Sequence, residues 1–322
     1  NLKMKCVMRS TDNSVSSNPH PSMQNDNTTT GKGISRFAAI ALIIVLISLF
    51  RAEASAQTDS VPDAGTIRPV YATYALKAGS AHRADTYLSP IKYSGWRVGF
   101  SYQRLQAMKF NPENWLMQLQ LDIDVDGTKN IVGNATMWYA GLDVSWGMLR
   151  RWRLPEGFSV GVGPALAVNL GCLYLDRNGN NPASAKAAVT ANASAYCAWN
   201  GKILGFPVTL RYQASAPVIG AFFSPDYGEL YYEIYLGNHS GLAHPAWWGN
   251  YFRYDHQLSA DLRFGSTWLR LGYRGNIFSS KINHIVTRDF THCAIVGISG
   301  EWISIDPRKK LSSEARMITA TY

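Results

Sequence analysis

The chain has 322 residues, 46% of them hydrophobic, 12% aromatic and 16% charged, with a net charge of +9 at pH 7. That apolar share excludes a disordered or low-complexity protein, and the cations are too scattered for a nucleic-acid-binding arm. Four cysteines without C-x-x-C, His-cluster or H-E-x-x-H spacing give no metal or redox motif, so no cofactor is assigned.

The first element is an export signal. Lys32 and Arg36 precede the apolar run Phe37 to Phe50, and Ala54-Ser55-Ala56 follows in the form of a signal-peptidase site. As a helix the run reaches about 21 Å, short of a hydrocarbon core of about 30 Å, which argues against a membrane anchor. Residues 1–22 read as an over-extended leader before Met23, residues 23–56 as the signal peptide, and cleavage falls between Ala56 and Gln57. Residues 57–322 then form one domain, with 25 Lys/Arg against 19 Asp/Glu and a polar C-terminal tail over 306–322. Three cysteines remain in it, Cys172, Cys197 and Cys293, an odd number. Cys172 and Cys197 read as small lipid-facing residues, with a cross-hairpin pair as the alternative.

The strands follow in chain order. A weak one is expected between Val70 and Leu88. Trp96, Val98, Phe100 and Tyr102 then alternate with Arg97, Gly99, Ser101 and Gln103. Trp115 to Val125 is apolar at every second residue, with Gln118, Gln120, Asp122 and Asp124 between. Trp138 to Met148 and Phe158 to Tyr174 repeat the pattern. Asn200-Gly201 reads as a type I′ hairpin turn, opposing residues whose numbers sum to 401: Cys197 with Leu204, and Asn192 with Thr209. Leu230, Tyr232, Ile234 and Leu236 alternate with Glu229, Tyr231, Glu233 and Tyr235. Gly265-Ser266 reads as a second tight turn, with opposed numbers summing to 531. It sets Leu262 against Leu269, Asp261 against Arg270 and Gln257 against Arg274. Ala294 to Trp302 is the last strand.

One polar face and one apolar face, repeated behind a signal peptide, give the fold class. It is an all-β, transmembrane, antiparallel up-and-down barrel of about 12 strands (alternatively 10) with a polar, filled lumen. Ten strands are plain from Trp96 onward. The loop lengths alternate wrongly unless one more strand lies between 213 and 230. The polar faces assign to the lumen Asp122, Asp124, Asp143, Glu229, Glu233, Asp255, Asp261 and Glu301. Arg97, Lys186, Arg211, Arg253, Arg263, Arg270 and Arg274 face them, and Tyr231, Tyr235 and Trp268 fill further room. Such near-balance favours pairing across the bore. A calcium site on Asp122, Asp124 and Asp126 is the lesser alternative to ion pairing. No catalytic residue is assigned. The alternative is a lipid hydrolase using His256 with Ser240 of the preceding loop, against His256 as an interfacial belt residue.

Gly220 to Gly228, Tyr231-Tyr232-Glu233 and Leu269 to Gly275 resemble segments of an uncharacterised bacterial outer-membrane barrel family, common among gut anaerobes, that carries a domain of unknown function. The resemblance runs loosely from Tyr71 to Ile305. It implies an outer-membrane barrel and no activity. The tail Asp306 to Thr321 departs from it, since such barrels usually end on a strand with a terminal aromatic. The expected partners are outer-membrane lipid, lipopolysaccharide, the barrel insertion machinery and an unidentified envelope protein, with no nucleic acid. A plugged structural or accessory barrel comes first, an uptake channel second and a lipid-modifying enzyme third.

Overall fold

The computed structural model describes residues 66–265, 267–303 and 316–321. The expected leader, signal peptide and cleavage site, Ser266 and residues 304–315 of the tail lie outside the described residues. Ten long strands form the wall: β2 (Val70–Asp85), β3 (Ser89–Ala107), β4 (Trp115–Asn130), β5 (Thr136–Arg153), β6 (Phe158–Leu175), β7 (Ala183–Ile203), β8 (Phe206–Phe223), β10 (Tyr251–Phe264), β11 (Thr267–Ile282) and β12 (Ile285–Trp302). Each pairs antiparallel with the next, and β12 pairs back onto β2, so the sheet closes on itself. Short strands β1 (Thr66–Ile67) and β13 (Arg316–Met317) pair parallel, and β9 (Ala243–Ala246) extends β8.

The period of two sorts the wall. Leu76, Val98, Val162, Leu166, Val189, Leu258, Val296 and Ile298 stand exposed on the outside, while Lys77, Arg97, Asp122, Asp124, Asp126, Asp261 and Arg270 are buried inside. An apolar exterior around a charged interior is stable only in lipid, so the barrel is transmembrane. Cys172 and Cys197 are exposed and unpaired: Cys172 lies opposite Ala185 and Cys197 opposite Val160 and Tyr212.

The turn at Gly265 has the expected register, with Leu262 opposite Leu269, Asp261 opposite Arg270 and Gln257 opposite Arg274. The other turn moves. β7 runs on to Ile203 and the hairpin turns at Leu204-Gly205, both at positive φ, so Cys197 faces Tyr212 and Asn192 faces Pro217. From Asn192 to Ile203 the displacement is eight residues, an even number, so these side chains keep their faces; a register shift between Ala191 and Asn192 adds one residue beyond them. Asn200-Gly201 has other uses. Asn200 donates to the Thr321 carbonyl at 2.6 Å and accepts from Thr209. A Cβ on Gly201 would sit 2.1 Å from the Trp199 ring.

The strand expected over 230–236 is a five-residue helix, Tyr231–Tyr235, in the long connection from β8 to β10. The Glu233 carboxylate accepts from the Leu230 N–H, which caps it. The extra strand expected between 213 and 230 does not form, because β8 continues to Phe223. Losing one strand repairs the loop parity as well as gaining one would. The weak strand Val70 to Leu88 is real, and the barrel has the alternative count of ten. β11 and β12 are joined by the turn Asn283-His284, both residues at positive φ.

Candidate functional site: a charge-filled bore

The strands deliver their inward residues to the bore in layers. At the end where β2 begins and β12 finishes, called the terminal end, lies an apolar cluster of Tyr71, Leu105, Leu116, Leu149, Tyr196, Ala198 and Trp268, joined by Ala320 of the tail. The tail is held there by hydrogen bonds: Arg151 donates to the Thr319 carbonyl at 2.9 Å, and the Thr321 hydroxyl donates to Glu301 at 2.7 Å. Arg316 pairs with Glu113 at 2.6 Å on the rim.

Above this cluster Arg270 binds Asp261 with two bonds of 2.7 Å and donates to Gln103 at 2.6 Å. Tyr71 donates to Asp261 at 2.7 Å. Arg211 stacks on Tyr196 at 3.8 Å and reaches Gln118 at 3.2 Å. The middle layer is a set of shared ion pairs. Lys77 contacts Asp122 at 2.8 Å and Asp124 at 2.9 Å. Arg274 takes Asp122 at 2.6 Å, and Arg97 takes Asp124 at 2.7 Å. Arg83 then joins Asp126 and Asp289 while stacking on Tyr139 at 3.8 Å. Arg253 bridges Asp143 and Asp255, each at 2.8 Å, and Lys186 reaches Asp85 at 2.5 Å. Two apolar clusters close the far end, one around Leu88, Tyr93, Met137 and Leu173, the other around Ala188, Phe222, Ala246 and Tyr251.

Asp122, Asp124, Asp143, Asp255, Asp261, Arg97, Arg211, Arg253, Arg270, Arg274 and Lys186 thus all point into the bore. Glu301 and Arg263 sit at its terminal end, Arg263 over the Trp268 ring at 4.1 Å. Two assignments are corrected. Glu229 and Glu233 lie in the β8–β10 connection, where Glu229 accepts from the Asp226 N–H and from Asn238. They left the lumen because their segment is a capped helix instead of a strand. Tyr231 and Tyr235 left with them. Tyr231 packs edge-on to Tyr87 at the far mouth and accepts from the Ala185 N–H, and burial pushes its phenol up to about 12, so it stays neutral.

Lys77, Arg83, Asp85 and Asp289 are among the interior groups that sequence reasoning missed. The signal was present: Tyr71, Thr73, Lys77 and Arg83 share one parity. The alternation of β2 is blurred by alanine and glycine on both faces. Asp122, Asp124 and Asp126 each pair with one or more of Lys77, Arg83, Arg97 and Arg274.

His256 faces outward. Its ring stacks on Tyr254 at 5.3 Å and lies near Tyr212 and Tyr273. Ser240 is exposed in the loop. Ser259 faces inward and donates to the Arg211 carbonyl. The His256 imidazole is packed as an aromatic belt residue.

The sequence profile described as Protein of unknown function (DUF3316) matches residues 40–309. No curated protein matches. Among solved structures, the outer membrane protease OmpT from Escherichia coli aligns with 7% identity over 77% of this chain and 100% of that one, at a TM-score of 0.43. The translocator domain of the autotransporter NalP from Neisseria meningitidis aligns with 10% identity, 82% and 97% coverage and a TM-score of 0.34. The COG4313 outer membrane channel from Pseudomonas putida F1 gives 8% identity, 76% and 98% coverage and a TM-score of 0.29. The likeness is one of barrel architecture and says nothing about activity.

Proposed function

The chain belongs to the family described as Protein of unknown function (DUF3316), and on that premise we propose that it is an outer-membrane barrel with a structural or accessory role in the envelope, closed along its axis. The observation that carries this reading is the succession of ion-paired and apolar layers across the bore. Shared ion pairs from Arg270–Asp261 to Arg83–Asp289 occupy the middle, apolar clusters sit at both ends, and the tail enters the terminal mouth. Opposite charges held this close fix one another, and moving a single partner strands the other. Ten strands leave little room beyond what side chains fill, whereas wide aqueous channels use 16–18 strands.

On this reading the signal peptide is removed between Ala56 and Gln57, the insertion machinery places the barrel, and lipid with lipopolysaccharide surrounds it. An envelope protein would dock on its rims. A second reading, a channel for small polar solutes, draws on a mid-bore cavity lined by Gln118, Gln120, Asn169, Asn192, Gln213 and Ser215. Planar-bilayer recording of the purified mature protein decides between them. Brief, small openings are expected. Large, steady currents would overturn the plugged reading and establish the channel.

A further inference from the structure

The wall is unevenly held together. Nine of its ten seams carry fourteen to seventeen residue pairs. The seam between β8 and β10 carries eight, from Val208 opposite Leu262 to Ser215 opposite Asp255. Above Ser215, β8 runs on for eight residues. Gly220 to Phe223 pair with β9, but Ala216 to Ile219 have no partner strand on that side among the described residues. Pro217 has no N–H to offer a ladder. Its carbonyl accepts instead from the indole N–H of Trp248.

Behind this gap the closure is made by rings. Phe222 and Tyr251 lie 5.0 Å apart, and Tyr251 and Phe278 5.1 Å apart. Together with Tyr139 and Asp289 they line a cavity of about 60 Å³. Apart from the Trp248–Pro217 bond, these contacts part without breaking a backbone ladder bond, so this is the stretch of wall that opens at least cost.

We propose that the β8–β10 seam is a lateral portal, and that the cavity behind it takes a small lipid-soluble molecule bearing one hydroxyl. This goes beyond the axially closed barrel and does not depend on a conducting bore. The portal faces the bilayer, so what passes is neutral and mostly apolar. The rings of Phe222, Tyr251 and Phe278 suit an aromatic body. Asp289 supplies the specificity. One of its oxygens pairs with Arg83, while its Oδ1 is buried with no hydrogen-bond partner, and a hydroxyl donor would satisfy it. A charged ammonium would satisfy it too, but does not arrive through lipid. With the seam closed the cavity holds only a few waters' volume, so uptake of a ring spreads the Phe222–Tyr251 contact.

The test uses the mature protein in nanodiscs and para-fluorophenol, followed by fluorine NMR. Saturable binding above that of empty nanodiscs is expected, and para-fluorotoluene, which lacks the hydroxyl, should bind about tenfold more weakly. Asp289→Asn should lower para-fluorophenol affinity by a similar roughly tenfold factor. Trp248→Phe keeps the ring, removes the donor to Pro217 and should speed exchange. A disulfide between Ala216→Cys and Tyr254→Cys, with the three native cysteines replaced by serine, should slow exchange until reduced. Heat-modifiable electrophoretic migration verifies that each variant is folded. If Asp289→Asn does not fold, the comparison of the two probes on the native protein carries the specificity. Absence of saturable binding, equal affinity for the two probes, or exchange indifferent to the disulfide would each overturn the proposal.

Discussion

At the residue scale the bore is a chain of shared ion pairs, and sharing decides what a substitution costs. Asp261→Ala leaves the buried Arg270 guanidinium with Gln103 and Tyr71 only. An uncompensated buried charge of this kind costs about 3–5 kcal/mol. The urea midpoint of the folded, heat-modifiable form should fall accordingly. Exchanging the pair, Asp261→Arg with Arg270→Asp, should recover much of the loss, since both groups remain paired. Equal loss in the single and exchanged variants would mean that the two side chains are not coupled. Lys77→Met is expected to be as costly as Asp261→Ala, because Asp122 and Asp124 both lose a contact under 3 Å. The carboxylates of this network were legible from parity along β4. Lys77 was not, because a strand written with alanine and glycine on both faces shows no alternation until its neighbours are known.

At the element scale, local signals were ambiguous wherever two structures satisfy the same pattern. Leu230 to Leu236 alternates well enough for a strand, but five residues after Pro225 and Gly228 can also wind once around a cap, and Glu233 supplies that cap. Asn200-Gly201 is the strongest turn dipeptide in the chain, yet the turn falls at Leu204-Gly205. Leucine at φ +51° is strained there, in a conformation that costs a residue with a Cβ about 1 kcal/mol. Leu204→Asn would install the favoured type I′ pair and should stabilise the barrel by about 0.5–1 kcal/mol. Asn200→Ala should destabilise it by about 1 kcal/mol, through loss of the Thr321 and Thr209 bonds. If Asn200→Ala proved neutral and Leu204→Asn harmful, the hairpin would turn at Asn200 after all. The tail is the other element with a role. Truncation after Trp302 removes Ala320 from the apolar cluster and one of the three backbone acceptors of Arg151, the Thr319 carbonyl, leaving those of Pro112 and Glu113. Openings in planar bilayers should become more frequent while single-channel size stays small, because the ion-pair layers remain.

At the scale of the whole molecule, closure and sidedness follow from counting. An alternation of period two says which face each residue takes but not how many strands there are. The count came right only when one apparent strand proved to be a helix. With ten strands, all turns at the terminal end are short, over residues 108–114, 154–157, 204–205 and around Gly265. The opposite end carries the connection 224–250 with its helix and β9. Barrels of the outer membrane keep short turns on the periplasmic side and long loops outside. The terminal end should therefore face the periplasm. Two apolar residues report the sides well, because each stands free of packing: Leu204 is 95% exposed on the terminal end and Ile131 is 97% exposed on the other. In a background with Cys172, Cys197 and Cys293 replaced by serine, Ile131→Cys should react with a membrane-impermeant maleimide on intact cells. Leu204→Cys should react only after the outer membrane is permeabilised. The reverse pattern would turn the barrel over and place the tail-closed mouth, with Arg151 and the Arg316–Glu113 pair, on the cell surface. Labelling of both sites in intact cells would show that the barrel does not span the membrane.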